Sequence, residues 1–268
     1  MKTLGFIGCG NMARPIIRSA AGGVCAPGDI CVYDTNTELL SGFCAETGVR
    51  AASCAAECAA CDAVVLAVKP QVFPDVLPLI ADTVRQNATL VISIAAGRTT
   101  DHIAGYFDFP VRVARIFPNL NATVGAAVSA YTANAAAAAA DLEFVGRLTA
   151  SFGQALPLDE ADFPAFGVLG GCAPAYTFMF IDALYKAGLA RGLDEDTARR
   201  AAVGVVLGSA KLLSESGGAF DEWVKKVCSP GGTTIEGVNS LKRDDLDAVV
   251  ARAFDCSYKR DLELSGKA

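Results

Sequence analysis

The chain has 268 residues, 52% of them hydrophobic, with a formal net charge of −6. That length admits one large domain or two ordinary ones with a sizeable core, and the acidic balance argues against a nucleic-acid binder, which carries a basic footprint. The apolar stretch from Cys172 to Ile181 is broken by Asp182, so no membrane span or membrane partner is expected.

Much of the apolar content is alanine, which suits closely packed helices. The start Lys2-Thr3-Leu4-Gly5 has none of the marks of a secretory leader. A cytoplasmic protein is therefore expected, and its ten cysteines should be reduced thiols. Cys54, Cys58 and Cys61 have a spacing that an iron–sulfur cluster could use. The same i, i+4, i+7 spacing marks one buried helical face in an alanine-rich stretch, and that reading is preferred. No metal is expected.

In chain order, short apolar runs alternate with helical stretches, the pattern of a doubly wound parallel sheet. Strands are expected at 4–8, 30–34, 49–51, 63–68, 90–94, 111–116, 126–131 and 155–158. Helices are expected at 11–21 and 38–47, after Pro70, after the fifth strand, and at 135–152. Beyond about residue 160 the strand signals stop. A helix from Ala173 to Lys186 should end at Gly188, and Asp194 and Thr197 should cap one running to about Ser214. Gly217-Gly218 breaks the chain before a short helix to Val227. Thr233 opens another, and 245–264 is the last. The expected fold is α/β: an N-terminal Rossmann-type domain over 1–160 and an all-helical domain over 161–268. Apolar helices in so small a domain point to a dimer interface.

Gly8-Cys9-Gly10-Asn11-Met12-Ala13 fits G-x-G-x-x-A between a strand and a helix. The first glycine permits the turn, the second lets backbone approach a pyrophosphate, and Ala13 packs helix on strand. The helix start then offers free N–H groups to phosphate. Asp34 ends the second strand, where an acid can accept from the adenosine ribose hydroxyls and repel a 2′-phosphate. No Arg or Lys occurs from Asp34 to Val49, so NADH is expected over NADPH. Ala67-Val68-Lys69-Pro70 and Ala95-Ala96-Gly97 follow two further strands, where a dinucleotide would pass closely.

His102, the one histidine, falls in a peripheral helix and makes a poor general base for alcohol oxidation. A protonated imine asks for less: orientation against the nicotinamide, a hold on its carboxylate, and exclusion of water. Ser229-Pro230-Gly231-Gly232-Thr233-Thr234 sets glycines and hydroxyls at a helix start, a turn suited to a carboxylate.

The segments GFIGCGNMA at 5–13, AVKP at 67–70, SIAAG at 93–97, PAYTFMFIDAL at 174–184 and SPGGTTIEG at 229–237 together resemble the pyrroline-5-carboxylate reductase family along nearly the whole chain. The resemblance implies NAD(P)H-dependent reduction of 1-pyrroline-5-carboxylate to L-proline, the last step of proline biosynthesis, by dimers of interlocked helical domains that often assemble further. It implies cofactor on Gly8 to Ala13, Ala67 to Pro70 and Ala95 to Gly97. It places substrate on Gly232, Thr233 and Thr234, the Thr234 hydroxyl lying near the ring nitrogen in a catalytic position. Glu215 lies one residue off an acid that the family has beside substrate. Cys172 and Ala173 stand in a loop where the family reads SGSGPAY and this chain reads GGCAPAY, losing a serine hydroxyl. The family's MPNTP is FPNLN here, at 117–121.

These departures keep two alternatives in view, a divergent imino- or keto-acid reductase and a non-catalytic dinucleotide sensor. A hydroxyacid dehydrogenase of the 6-phosphogluconate type would want a lysine early in the first helix of the second domain. The chain offers only Lys186, near that helix's end.

Overall fold

The computed structural model describes residues 2–264. Among them, eight strands form one sheet in the order β3-β2-β1-β4-β5-β6-β7-β8. The strands are β1 (Leu4–Ile7), β2 (Ile30–Tyr33), β3 (Arg50–Ala51), β4 (Ala63–Leu66), β5 (Leu90–Ser93), β6 (Val113–Phe117), β7 (Ala127–Ala133) and β8 (Gly153–Pro157). β1, β4 and β5 are buried along their whole length. This follows from covering a parallel sheet with helices on both faces, and it explains the unbroken apolar runs. The first six strands are parallel, whereas β7 runs antiparallel to β6, with Ala114 opposite Ala133. Between them the chain makes only a short turn over Leu120–Val124, with no crossover helix to bring it back in the same direction.

Helices α1 (Ala13–Gly23), α2 (Thr37–Thr47), α3 (Ala55–Ala59), α4 (Phe73–Asn87), α5 (Thr100–Ala104) and α6 (Ala139–Ala150) cover the sheet. One core cluster sets Ile16, Ile17 and Phe43 from α1 and α2 with Phe144 and Leu148 from α6. A second holds Phe73, Leu77 and Ile80 of α4 beside Cys58, and a small third one joins Ala130 to Phe163 and Phe166. The alanine run does not start α6 at residue 135. Ala137 turns back onto the Asn134 carbonyl, and the helix begins where the Asp141 carboxylate accepts from the Ala138 N–H at 2.8 Å.

The three-cysteine face needs correction. α3 is only five residues long, Cys58 and Cys61 are buried, and Cys54 is exposed at its start. Among the described residues no group of three or more His, Cys, Asp or Glu side chains gathers as metal ligands would.

After α7 (Phe163–Phe166) comes a π-helical turn, Gly167–Cys172, that the sequence reading missed. Then follow α8 (Ala173–Leu189), α9 (Glu195–Ser216), α10 (Phe220–Val227), α11 (Thr233–Arg243) and α12 (Leu246–Leu264). Gly188 lies inside the last turn of α8, and the stop comes at Ala190 instead. A helical glycine costs only about 1 kcal/mol relative to alanine. By length and composition Glu160–Leu189 could also cross a membrane, contrary to expectation. Asp182 interrupts only its end, and residues 163–181 carry no charge.

The chain forms two compact units. The first ends at Gly171 and includes the end of α12 from Tyr258, and the second is Cys172–Ser257. The second unit is helical and buries little, chiefly Ala198 and Ala202 of α9. Met179, Leu207 and Phe220 are 72%, 67% and 77% exposed, a large uncovered apolar surface.

Candidate active site

β1 sits between β2 and β4, so the chain direction of the winding reverses beside it, where open α/β sheets bind ligands. Gly8 leaves β1 at φ +105, and a Cβ there would lie 2.7 Å from the Ala67 carbonyl oxygen at the exit of β4. Only glycine fits so tight a turn. A Cβ on Gly10 would meet nothing within 4 Å, so open space lies over the turn, as a passing pyrophosphate requires. α1 begins at Ala13 with no side-chain cap; the Arg14 N–H is taken by the Gly10 carbonyl at 3.1 Å and Pro15 has none, so a phosphate there would meet the turn's backbone and the positive end of the helix dipole. The residues present fit a dinucleotide.

The Asp34 carboxylate is tied to this turn. One oxygen accepts from the Cys9 N–H at 2.6 Å and the other from the Asn36 N–H at 2.8 Å. Each oxygen keeps a lone pair for a further donor such as a ribose hydroxyl. Cys9 itself is buried, and burial, with the Asp34 charge second, pushes its thiol up to about 11. It is an unreactive thiol at neutral pH.

Val68 and Pro70 are half-buried and Lys69 exposed at the exit of β4. Lys69 precedes a turn in which its carbonyl accepts from the Val72 N–H. Ala95 is buried, Ala96 exposed and Gly97 left-handed at φ +71. Both segments lie at the sheet's carboxyl edge with the glycine turn. His102 is on short α5, exposed and stacked edge-on against Tyr106 at 5.6 Å. Partial burial, and then nearby Arg98, lower its pKa, so it is neutral at physiological pH. His102, Arg98, Thr99 and Arg115 line a cavity of about 130 Å³.

Two polar side chains escaped the sequence reading. Arg115 on β6 is buried, 3.2 Å from a Glu160 oxygen and over the Phe163 ring at 4.4 Å. Glu160 also accepts from the N–H and hydroxyl of Thr100. Asn119 is buried, donating to the Gly170 carbonyl at 2.8 Å and accepting from the Asn121 N–H. It fixes the π-helical turn, where Gly170 and Gly171 abut the rings of Phe166 and Phe117 too closely for any side chain. A lone arginine or asparagine after an apolar strand is the only signal in the sequence, since the partners lie 45 and 51 residues away.

In the second unit, Cys172 and Ala173 are half-buried at the start of α8. Nearby Tyr176 meets the Ser257 hydroxyl at 2.5 Å. Gly231 turns at φ +69, and Gly232 caps α11 with no side-chain hydrogen bond. The exposed Thr233 and Thr234 therefore stand at a helix start whose N–H groups have no side-chain cap. Glu215 is apart in sequence, near the end of α9, exposed and 3.7 Å from Lys211.

A phosphate-binding turn on a wound sheet, followed by a helical unit with an anion-ready turn, defines an NAD(P)H-dependent oxidoreductase. A family model for pyrroline-5-carboxylate reductase dimerisation matches residues 160–264. One for NADP oxidoreductases, coenzyme F420-dependent, matches residues 3–97. The pyrroline-5-carboxylate reductase of Escherichia coli (strain K12) is 36% identical over 266 residues, covering 98% of each chain. That of Pisum sativum is 34% identical over 98% of this chain and 96% of its own. The solved pyrroline-5-carboxylate reductase of Coxiella burnetii is 29% identical with a TM-score of 0.93 over 98% of both chains. The chain belongs to the pyrroline-5-carboxylate reductase family. Its dimerisation region makes it a homo-oligomer-forming chain, consistent with the uncovered apolar helices of the second unit.

Proposed function

We propose that this chain reduces 1-pyrroline-5-carboxylate to L-proline in the cytoplasm, as a homodimer or a larger assembly of dimers, with NADH favoured over NADPH. The observation that carries the reading is the uncapped start of α11. Thr233 and Thr234 present backbone N–H groups and two hydroxyls beside Gly232, whose own N–H is donated to the Ser229 carbonyl at 3.0 Å, and a carboxylate is the group such a turn holds best. Ten free thiols suit a reducing compartment.

Gly8 to Ala13 would carry the pyrophosphate, Asp34 the adenosine ribose, and Ala67 to Pro70 with Ala95 to Gly97 the remainder of the cofactor. When bound, the nicotinamide supplies the hydride. In the balanced reaction the hydride adds to the imine carbon while the nitrogen, protonated on arrival, keeps its proton as the C=N double bond becomes single. This chain's residues then have no proton to abstract, which suits a site without a histidine. Thr234 would orient the ring nitrogen through its hydroxyl, with Cys172 and Ala173 along the substrate and Glu215 further out. Cys172 occupies a place where the family carries a serine, and this favours a second reading, reduction of a related imino or keto acid.

The test incubates purified protein with NADH and 1-pyrroline-5-carboxylate beside a panel of cyclic imines and keto acids. Stoichiometric proline and the highest kcat/KM on 1-pyrroline-5-carboxylate support the first reading. A different best substrate supports the second, and no turnover of any supports a dinucleotide sensor.

A further inference from the structure

The first helix places a cation where the stretch after Asp34 has none. Arg14 and Arg18 are one turn apart on α1, and both line a groove against α2 together with Asn36, Glu38, Leu39, Gly42, Phe43 and Glu46. Arg18 is committed: it makes a two-oxygen pair with Glu46 at 2.9 and 3.0 Å and lies over the Phe43 ring. Arg14 is different. Among the described residues its side chain donates to the neutral amide oxygen of Asn11, at 2.6 Å, and it has no carboxylate in ion-pair range. Asn11 belongs to the glycine-rich turn, and Asn36 gives its N–H to Asp34. The guanidinium, which makes no ion pair among the described residues, therefore shares a groove with Asn36, two places beyond the acid expected at the adenosine ribose, and with Glu38. A guanidinium presents a planar fork of donors that matches phosphate oxygens. Asp34 in turn has both oxygens engaged by backbone N–H groups, which offsets part of the repulsion a 2′-phosphate would meet.

We infer that Arg14 is the counter-cation for the 2′-phosphate of NADPH, so that the chain accepts both dinucleotides, Asp34 serving the free ribose hydroxyl and Arg14 the phosphorylated one. The inference rests on the dinucleotide site proposed above and deepens it by adding a phosphomonoester subsite.

The test reads binding alone, without the imine. ADP-ribose and 2′-phospho-ADP-ribose are titrated calorimetrically into wild type, Arg14→Gln, Arg14→Lys and Asp34→Ser. Arg14→Gln should weaken 2′-phospho-ADP-ribose about 10- to 100-fold, the loss of a charge-assisted contact, and ADP-ribose far less. Arg14→Lys should restore part of the loss, and added salt should weaken the phosphorylated probe more in wild type than in Arg14→Gln. In kinetics the gain in NADPH use from Asp34→Ser should vanish when Arg14→Gln is added. Equal effects of Arg14→Gln on the two probes, or none, would overturn the inference while leaving the proposed reaction intact. So would a wild type that binds ADP-ribose and refuses 2′-phospho-ADP-ribose. Binding of neither probe to wild type would overturn the dinucleotide site itself.

Discussion

Asp34 holds the glycine-rich turn and is the residue proposed for the adenosine ribose. Its position at the end of β2 is legible in the sequence and points to the ribose, but its bonds to the Cys9 and Asn36 amides are not. Asp34→Ser should therefore shift the ratio of NADPH to NADH kcat/KM toward NADPH by about tenfold, equivalent to one hydrogen bond to a charged group. An unchanged ratio would remove Asp34 from the ribose. Arg14 was invisible for the same reason. Only the packing of α1 on α2 brings Arg14, the residue after the glycine-rich turn, into one groove with Asn36.

At the scale of elements, the sequence carries strand and helix identity well where burial enforces it. β1, β4 and β5 read as strands because both faces are covered. The π-helical turn was hidden because Gly167-Val-Leu-Gly-Gly reads locally as a break, and its order comes from Asn119 in the exit loop of β6. Asn119→Ala should leave the Gly170 carbonyl without its partner in a buried place. We expect a loss of about 1–3 kcal/mol in stability, measured by urea unfolding, and no change there would show that the bond to the turn contributes nothing.

The entrance of β1 makes a pH-dependent prediction. The Asp62 carboxylate accepts from the N–H groups of Lys2 and Thr3 at 2.7 and 3.0 Å, and those backbone bonds hold its pKa below the usual carboxylate value. An acid so depressed stabilises the fold above its unfolded value, near 4, and the contribution is lost as pH falls through the lower, folded value. Wild type and Asp62→Asn should thus differ in melting temperature at neutral pH and converge in strong acid. A difference that persists at low pH would contradict this.

For the whole molecule, the doubly wound order was legible from alternation and the second unit from the end of strand signals. The antiparallel turn-back of β7 was not, because it depends on the length of one connection. The second unit also buries so little of its own apolar surface that it needs another copy. Met179, 72% exposed in the middle of α8, is a residue whose replacement should show this. Met179→Glu should lower the mass seen by sedimentation, while wild type sediments as at least a dimer. A wild type that sediments as a monomer would refute the assembly.

The carboxylate hold proposed for the start of α11 is tested most directly by comparing 1-pyrroline-5-carboxylate with 1-pyrroline, the same ring without the acid, in wild type and Thr234→Ala. Wild type should prefer the carboxylated ring strongly in kcat/KM, and Thr234→Ala should narrow that preference about 10- to 100-fold. A wild type indifferent to the carboxylate, or a preference untouched by the substitution, would contradict the account.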